Sequence, residues 1–478
     1  MLKRCGILRP SIAGEPGERQ PGSRQALFTL SCINALNFAD RYVPASVKPQ
    51  IQEELGLSDS ESALPSMAMT LVFTVASIIF GILADREYVD RRLLLTAGIA
   101  FWSVATALAG FAQDLWHLII FRALVGVGEA SFATVASPMI ADFYPGPQRN
   151  RAYTIFSLSA PLGAAVGFGA GSALGENLGW RMAFFVCGFP GMLVAASVLL
   201  LNDPPMGIND PAEDPTQEDT SDDSEESEAS ARPQCVFVRE GAGLLSNPFF
   251  VSATIGSVAI SFAVGGLSEW YPSFLVRYTD MSESSSGLVL SGSVVVSGLV
   301  GTILGSKAAD AAACRIGSSA YFLIPACCMV PGAVLIAAAV NLLDPAALIF
   351  SLVVGETFFF SYQAPIAALS MSVIPVHSRA RGSSLQILLG HALGDVISPP
   401  IIGVISDVSN LQRGLQVTWV AVIVAGVAWM AGYMCLAPPP MAVKPTRADS
   451  GTIASILARG KSFLQDCTGC GEDAAELS

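Results

Sequence analysis

The sequence predicts an all-α membrane protein of about twelve transmembrane helices arranged as two six-helix bundles. Three observations carry that expectation. The 478 residues are 52% hydrophobic and only 14% charged, with a mean hydropathy of +0.54, a composition outside the range of soluble domains. Windows of about 20 apolar residues, enough to cross ~30 Å of hydrocarbon, recur about twelve times. A strongly acidic stretch separates the first six windows from the last six.

Taken in order, the first six windows cover residues 25–49, 62–84, 93–112, 115–138, 151–174 and 183–201. The second six cover 248–274, 285–308, 319–340, 346–374, 383–405 and 415–437. The expected organisation is a cytoplasmic tail (1–24), a first bundle (25–202), an acidic linker (203–246), a second bundle (247–437) and a second cytoplasmic tail (438–478). Orientation follows from the cations. With the N-terminus cytoplasmic, only Arg41, Lys48, Arg122, Arg181, Arg277 and Arg413 of the 26 Lys plus Arg fall outside or within the membrane, a split of 20 to 6 that fits an even number of spans with both ends inside. Residues 1–24 are basic and rich in Pro and Gly, with no apolar core of the kind a cleavable signal requires.

The net charge of −13 says little about partners, because much of it is local. From Asp203 to Glu228 there are eleven acids and no Lys or Arg, which reads as a solvated tether. Of the ten cysteines, Cys32, Cys187, Cys327, Cys328 and Cys435 fall in predicted spans, where free cysteine behaves as a small apolar residue. Cys467 and Cys470 have metal-ligand spacing but no second pair or nearby histidine, so no metal or other cofactor is expected; reversible acylation is the alternative for that tail. There is no Gly-x-x-x-x-Gly-Lys loop for an ATP-driven pump and no nucleophile or metal constellation in a soluble segment, so an enzyme is not expected. Nothing points to nucleic acid.

The chemistry concentrates in residues that a bilayer-spanning helix ordinarily excludes. Arg122 and Glu129 lie two turns apart in the fourth window, and each costs roughly 2.5 to 3.5 kcal/mol to insert at bilayer depth. At 1.5 Å per residue Arg122 lies roughly 10 Å, and Glu129 roughly 21 Å, from the start of its window. Asp40 and Arg41, in the first window, reach about the depth of Arg122. A carboxylate in a poorly solvated cavity resists ionisation and a nearby arginine favours it, so an anionic substrate competing for an arginine would move a proton. A purely structural Arg122–Glu129 pair is the competing reading. Glu269, Trp270, Glu356, Tyr362, His391 and Asp395 are further candidates for cavity contacts; for His391 a packing role, and for the Phe-rich run from Glu356 to Tyr362 ordinary helix packing, remain open. Phe38, Phe132, Phe359 and Trp270 are candidates for an apolar lining.

Two six-span halves joined by a long linker are the layout of transporters built from parallel repeats. Arg149-Asn-Arg151 before a Gly-rich span is echoed by Arg379-Ala-Arg381, and Gly81-Ile-Leu-Ala-Asp85 by Gly305-Ser-Lys-Ala-Ala-Asp310. The run Gly81-Ile-Leu-Ala-Asp85-Arg86 followed by Arg91-Arg92 resembles the signature of the major facilitator superfamily, with a longer and more acidic turn, Glu87-Tyr88-Val89-Asp90, before the basic pair. That resemblance implies the major facilitator fold, alternating access, and a cytoplasmic gate at Gly81, Asp85 and Arg86.

A narrower resemblance is to the Spinster branch, transporters of lysolipids and sphingoid phosphates. It rests on Asn37-Phe-Ala-Asp40-Arg41-Tyr42, Gly98-Ile-Ala-Phe-Trp-Ser103, Arg122-Ala-Leu-Val-Gly-Val-Gly-Glu129-Ala-Ser131 and His391-Ala-Leu-Gly-Asp395-Val-Ile-Ser-Pro399. Glu269 stands where that branch tends to be apolar. The resemblance implies a small amphiphilic anionic substrate moved with protons through Asp40, Arg41, Arg122 and Glu129; the sequence does not give the oligomeric state, and a monomer in the bilayer is the expectation. A major facilitator carrying another organic anion or sugar conjugate, and a non-transporting receptor or scaffold, are the alternatives. No address for a plasma or endolysosomal membrane is legible.

Overall fold

The structure is a computed structural model and describes residues 15, 18–84, 90–206, 208–209, 243–342, 344–374 and 379–435. Asp85 and Arg86 of the expected gate, most of the acidic linker, and Cys467 and Cys470 lie outside the described residues. Seven helices form the N-terminal half: α1 (Ser23–Ser46), α2 (Lys48–Leu55), α3 (Asp59–Ala84), α4 (Arg91–Ala109), α5 (Leu115–Phe143), α6 (Gly146–Leu178) and α7 (Trp180–Val198). The C-terminal half holds α8 (Pro248–Tyr278), α9 (Glu283–Ile316), α10 (Ala320–Asn341), α11 (Pro345–Phe360), α12 (Gln363–Val373), α13 (Arg379–Gly390), a π-helical turn (His391–Asp395), α14 (Ser398–Val408) and α15 (Leu411–Cys435).

Many of these helices begin where the sequence carries a start signal. Asp114 caps α5 by accepting from the His117 N–H, and Ser282 caps α9 by accepting from Ser285 N–H. Asn247 and Asp344 cap α8 and α11, each followed by a proline at the first helical position, where its missing N–H costs nothing.

Ten segments among the described residues are long and apolar enough to cross a bilayer. One of them, Glu283–Asn341, runs for 59 residues, about 88 Å of helix at 1.5 Å per residue, and contains two crossings, α9 and α10. The twelfth crossing is α1, which is less apolar than the rest because it carries Asn34, Asn37, Asp40 and Arg41. It packs against α6 and α7, and those polar groups face inward. Two expected spans are interrupted. The tenth breaks at Ser361–Tyr362 into α11 and α12, and the eleventh passes through the π turn between α13 and α14; neither irregularity leaves a mark on apolar periodicity.

Within the N-terminal half α3 packs on α5, α1 on α6, and α4 on both α5 and α7; within the C-terminal half α15 packs on α8 and α10, and α10 on α11. Between the halves, the extensive contacts are α3 with α14 and α6 with α9. In span order these are the second with the eleventh and the fifth with the eighth, the exchange expected of repeats related by an axis along the membrane normal.

The tightest packing holds α4 to α5. A Cβ on Gly98 would lie 1.7 Å from Ser131 Oγ, and one on Gly128 would lie 2.6 Å from Trp102 Cβ. Two of the motifs singled out from sequence therefore meet backbone to backbone, as small residues permit between membrane helices. Trp102 and Phe132 pack edge to face beside them, with centroids 6.0 Å apart, in the N-terminal core. Phe132 is thus a core residue rather than an open lining.

The chain on either side of the N-terminal bundle is fastened to it. Gln20 N–H donates to the Phe143 carbonyl at 3.0 Å. Arg91, almost fully buried, pairs with Asp142, with Asp203 at 2.6 Å and with the Pro204 carbonyl at 2.6 Å. Arg92 donates to the Leu201 carbonyl, Arg149 to the Asn209 carbonyl, and Asn209 to the Asp142 carbonyl. The first residues of the expected linker are therefore part of the bundle. Burial pushes the Asp203 carboxyl above its ordinary value, against the lowering effect of Arg91.

Candidate functional site

Four charged residues of the N-terminal half, Asp40, Arg41, Arg122 and Glu129, come together where α1 crosses α5. Arg41 Nη2 lies 3.0 Å from Glu129 Oε2. Arg122, 1% exposed, donates to the Asp40 carbonyl at 3.4 Å and contacts Met69 Sδ at 2.7 Å, and it makes no ion pair among the described residues. Its Nε, one oxygen of Asp40 and one of Glu129 are buried without a hydrogen-bond partner there. Glu129 therefore pairs with Arg41 across helices, not with Arg122 on its own helix, so the structural Arg122–Glu129 pair weighed from sequence is absent. Asp40, Arg41, Arg122 and Glu129 nonetheless form one cluster.

Such a cluster is expensive. An unpaired or half-paired charge in a low-dielectric interior loses solvation that only good partners restore, and several polar atoms here lack them.

Phe73 of α3 carries the site across to the C-terminal half. The Arg41 guanidinium lies 5.2 Å from the centroid of its ring, and His391 meets the same ring edge to face at 5.7 Å. His391 Nδ1 is 2.8 Å from Asp395 Oδ2, both on the π turn, a helix irregularity often found at functional sites. Phe38 flanks Arg41 on the other side at 5.8 Å.

The remaining candidates lie elsewhere. Glu356 is buried within the C-terminal half and accepts from Ser297 Oγ at 3.0 Å. Tyr362, half-buried, stacks on Trp429 at 5.3 Å at the edge of the C-terminal core. Phe359 is buried in the same core. Gly81 is half-buried near the end of α3 with open space around its Cα.

Glu269 and Trp270 belong to a second cluster, at the end of the molecule that carries α2. There Lys48 forms an ion pair with Glu269 and lies 4.1 Å from the Trp270 ring centroid, while the Trp270 indole N–H donates to Pro399 at 2.9 Å. Around it Arg277 pairs with Asp59 at 2.7 Å, Asp407 accepts from the N–H groups of Asp59 and Ser60, and Gln50 donates to Glu283 at 2.5 Å. Apart from the Trp270–Pro399 bond, which lies within the C-terminal half, these contacts join one half to the other, so the α2 end is shut. Sequence reasoning counted Lys48 only as a flanking cation. The signal available was its place just before Pro49, where the first span has to break: α1 ends at Ser46 and α2 restarts at Lys48.

Comparison with known proteins agrees with this architecture. Residues 30–399 match the model of the Major Facilitator Superfamily. Human protein spinster homolog 1 is 32% identical over 419 residues, covering 81% of this chain and 74% of the relative. The mouse sphingosine-1-phosphate transporter SPNS2 is 31% identical over 404 residues, covering 79% and 69%. Among solved structures, a bacterial homologue of the human lysosomal transporter Spinster, in an inward-facing and occupied conformation, superposes with a TM-score of 0.73 at 21% identity, covering 87% of this chain and 97% of that one. Helix order, cross-half contacts and these similarities lead to one conclusion: the chain belongs to the Spinster family of the major facilitator superfamily, an integral multi-pass membrane transporter and not an enzyme.

Proposed function

We propose that this transporter moves a lysolipid or sphingoid phosphate by alternating access, coupled to protons through Asp40, Arg41, Arg122 and Glu129. The observation that carries this reading is Arg122, a buried guanidinium without an ion pair, beside an Arg41–Glu129 pair that a stronger anion is able to divide. A phosphate monoester brings two charges and several acceptor oxygens to two arginines, a match that Arg makes better than any other side chain. Once Arg41 turns to the substrate, Glu129 is left buried without a cation, and a carboxylate so placed is cheaper protonated than charged. The similarity to a mouse sphingosine-1-phosphate transporter supports the choice of cargo.

With the N-terminus cytoplasmic, the α2 end faces outward, the two tails and the linker face the cytoplasm, and Gly81, Asp85 and Arg86 stand at the inner gate. His391 and Asp395 then serve as the acid–base pair that the C-terminal half contributes, through Phe73, to the cavity.

The test is reconstitution in proteoliposomes with a panel of lysophospholipids, sphingoid phosphates, organic anions and sugar conjugates, with and without a pH gradient. Uptake is expected for the phosphate-bearing amphiphiles and is expected to respond to the gradient. In the Glu129→Gln variant the response to pH is expected to disappear; transport with unchanged pH dependence would falsify the coupling.

A further inference from the structure

Lys48, Arg122 and Glu269 line one small cavity of about 20 Å³, together with Ser62, Ser66 and Phe184, room for about one water. Two of the three charged groups are cations of the N-terminal half, on α2 and α5. The third is an acid of the C-terminal half, on α8. Lys48 is 3% exposed and Arg122 1% exposed, so neither is solvated by bulk water. The Glu269 carboxylate takes Lys48 directly and also accepts from Ser66 Oγ at 3.1 Å. It lies within electrostatic reach of Arg122, whose Nε has no partner. Trp270, the next residue, lies over the Lys48 ammonium.

Alternating access requires the halves to part at the α2 end. When they do, Glu269 and Trp270 leave with the C-terminal half, and Lys48 and Arg122 stay behind in a recess of the N-terminal half with no carboxylate of the C-terminal half opposite them. Cations in such a recess demand an anion.

We propose that Lys48 and Arg122 form an anion-binding site on the α2 side, that its ligand is the phosphate head of an amphiphile, and that Glu269 is a tethered stand-in for that phosphate. Binding and closure then exclude each other: the head group holds the α2 end open until it passes inward, and Glu269 takes its place as the end shuts. The site adds Lys48 and Glu269 to the central cluster and needs only that the chain works by alternating access. Its failure is separable from failure of the proton-coupling reading, since it is measured by binding and distance and not by the pH dependence of Glu129→Gln.

The experiment uses the full chain in nanodiscs, with hexyl phosphate as probe and binding read by calorimetry. The gap at the α2 end is read as the spin-label distance between Glu53→Cys and Val408→Cys, two exposed positions on opposite halves, in a background with the native cysteines replaced by serine. Glu269→Gln keeps the shape and the Ser66 hydrogen bond but removes the competing charge. It is expected to lengthen the distance and to bind hexyl phosphate about tenfold more tightly. Lys48→Met, with Lys48→Gln as its conservative companion, is also expected to lengthen the distance but to bind about tenfold more weakly. Affinities moving in opposite directions while both gaps widen are the signature of a site. Affinities that move together or not at all would reduce the cluster to a structural seal and overturn the proposal, as would unchanged distances in all variants. Inorganic phosphate is expected to bind at least about tenfold more weakly than hexyl phosphate; equal binding overturns the assignment to an amphiphile.

Discussion

The two halves share an architecture and differ in charge. Every buried cation among the described residues, Lys48, Arg91, Arg92 and Arg122, belongs to the N-terminal half, as does the partly buried Arg41. The C-terminal half buries acids instead: Glu269 faces Lys48 across the halves, and Glu356 has serine hydroxyls for company. The N-terminal half also buries Asp40, Glu129 and Asp142, so most of the buried charge of both signs sits on one side, and Glu269 is the acid that the other half brings to it.

That asymmetry can be broken most severely at Arg41. Arg41→Ala leaves Glu129 buried without its ion pair, and the expected cost is on the order of 3 kcal/mol, read as a lower melting temperature in detergent and as lost uptake. Adding Glu129→Gln is expected to restore most of the stability and none of the uptake. If the single variant melts normally, the pair contributes nothing and the comparison fails.

Packing gives the next largest contrast. Gly98→Ala places a methyl 1.7 Å from Ser131 Oγ, and overpacking of that kind costs about 1–3 kcal/mol. The corresponding contact between α10 and α11 is looser, with a Cβ on Gly355 falling 3.1 Å from Leu335. Gly355→Ala is therefore expected to melt closer to the parent than Gly98→Ala; the reverse order would show that the N-terminal half is not the more tightly packed one.

A smaller effect is expected at Glu356. The glutamine retains an acceptor for Ser297, so Glu356→Gln is expected to change stability by less than about 1 kcal/mol and to leave the pH dependence of uptake as it was. A lost pH response would move the proton site into the C-terminal half.

The smallest concerns Glu54, an exposed acid of α2. Hydrogen bonds from Arg181 and Trp180 hold its carboxyl below its ordinary value of 4.5. A depressed value means that its contribution is present above pH 4.5 and is lost as the pH falls through the lower value of the folded state. The melting difference between the parent and Glu54→Gln is expected to be slight near neutrality, as for exposed pairs generally, and to vanish in acid. A large difference would mean that burial is not what distinguishes Arg41 from Arg181.

Much of this was legible in the sequence, because ionisable residues in an apolar window are conspicuous. Asp40, Arg41, Arg122 and Glu129 were identified that way, and depth counting brought Asp40 and Arg41 level with Arg122. Partner choice was not legible. Which arginine takes Glu129 depends on the rotation of α1 against α5, and a few tens of degrees decide it. Lys48 escaped notice because distance along the chain placed it at a helix end, whereas the turn at Val47 folds it back between the halves. The stacking of Tyr362 on Trp429 is hidden as well, because it follows from the break between α11 and α12. The π turn is invisible to periodicity, since one residue more in a helical turn leaves its neighbours equally apolar.

The fastening of Asp203 and Asn209 to Arg91, Arg149 and Asp142 bears on how the chain is made. Domains generally fold as units in the order of their synthesis, and these partners emerge directly after α7. The first bundle is able to finish the end away from α2 before any of α8 has been translated. Lys48, by contrast, has to wait for Glu269, more than two hundred residues later, so the ribosome releases a half that is complete at one end and carries an unanswered charge at the other.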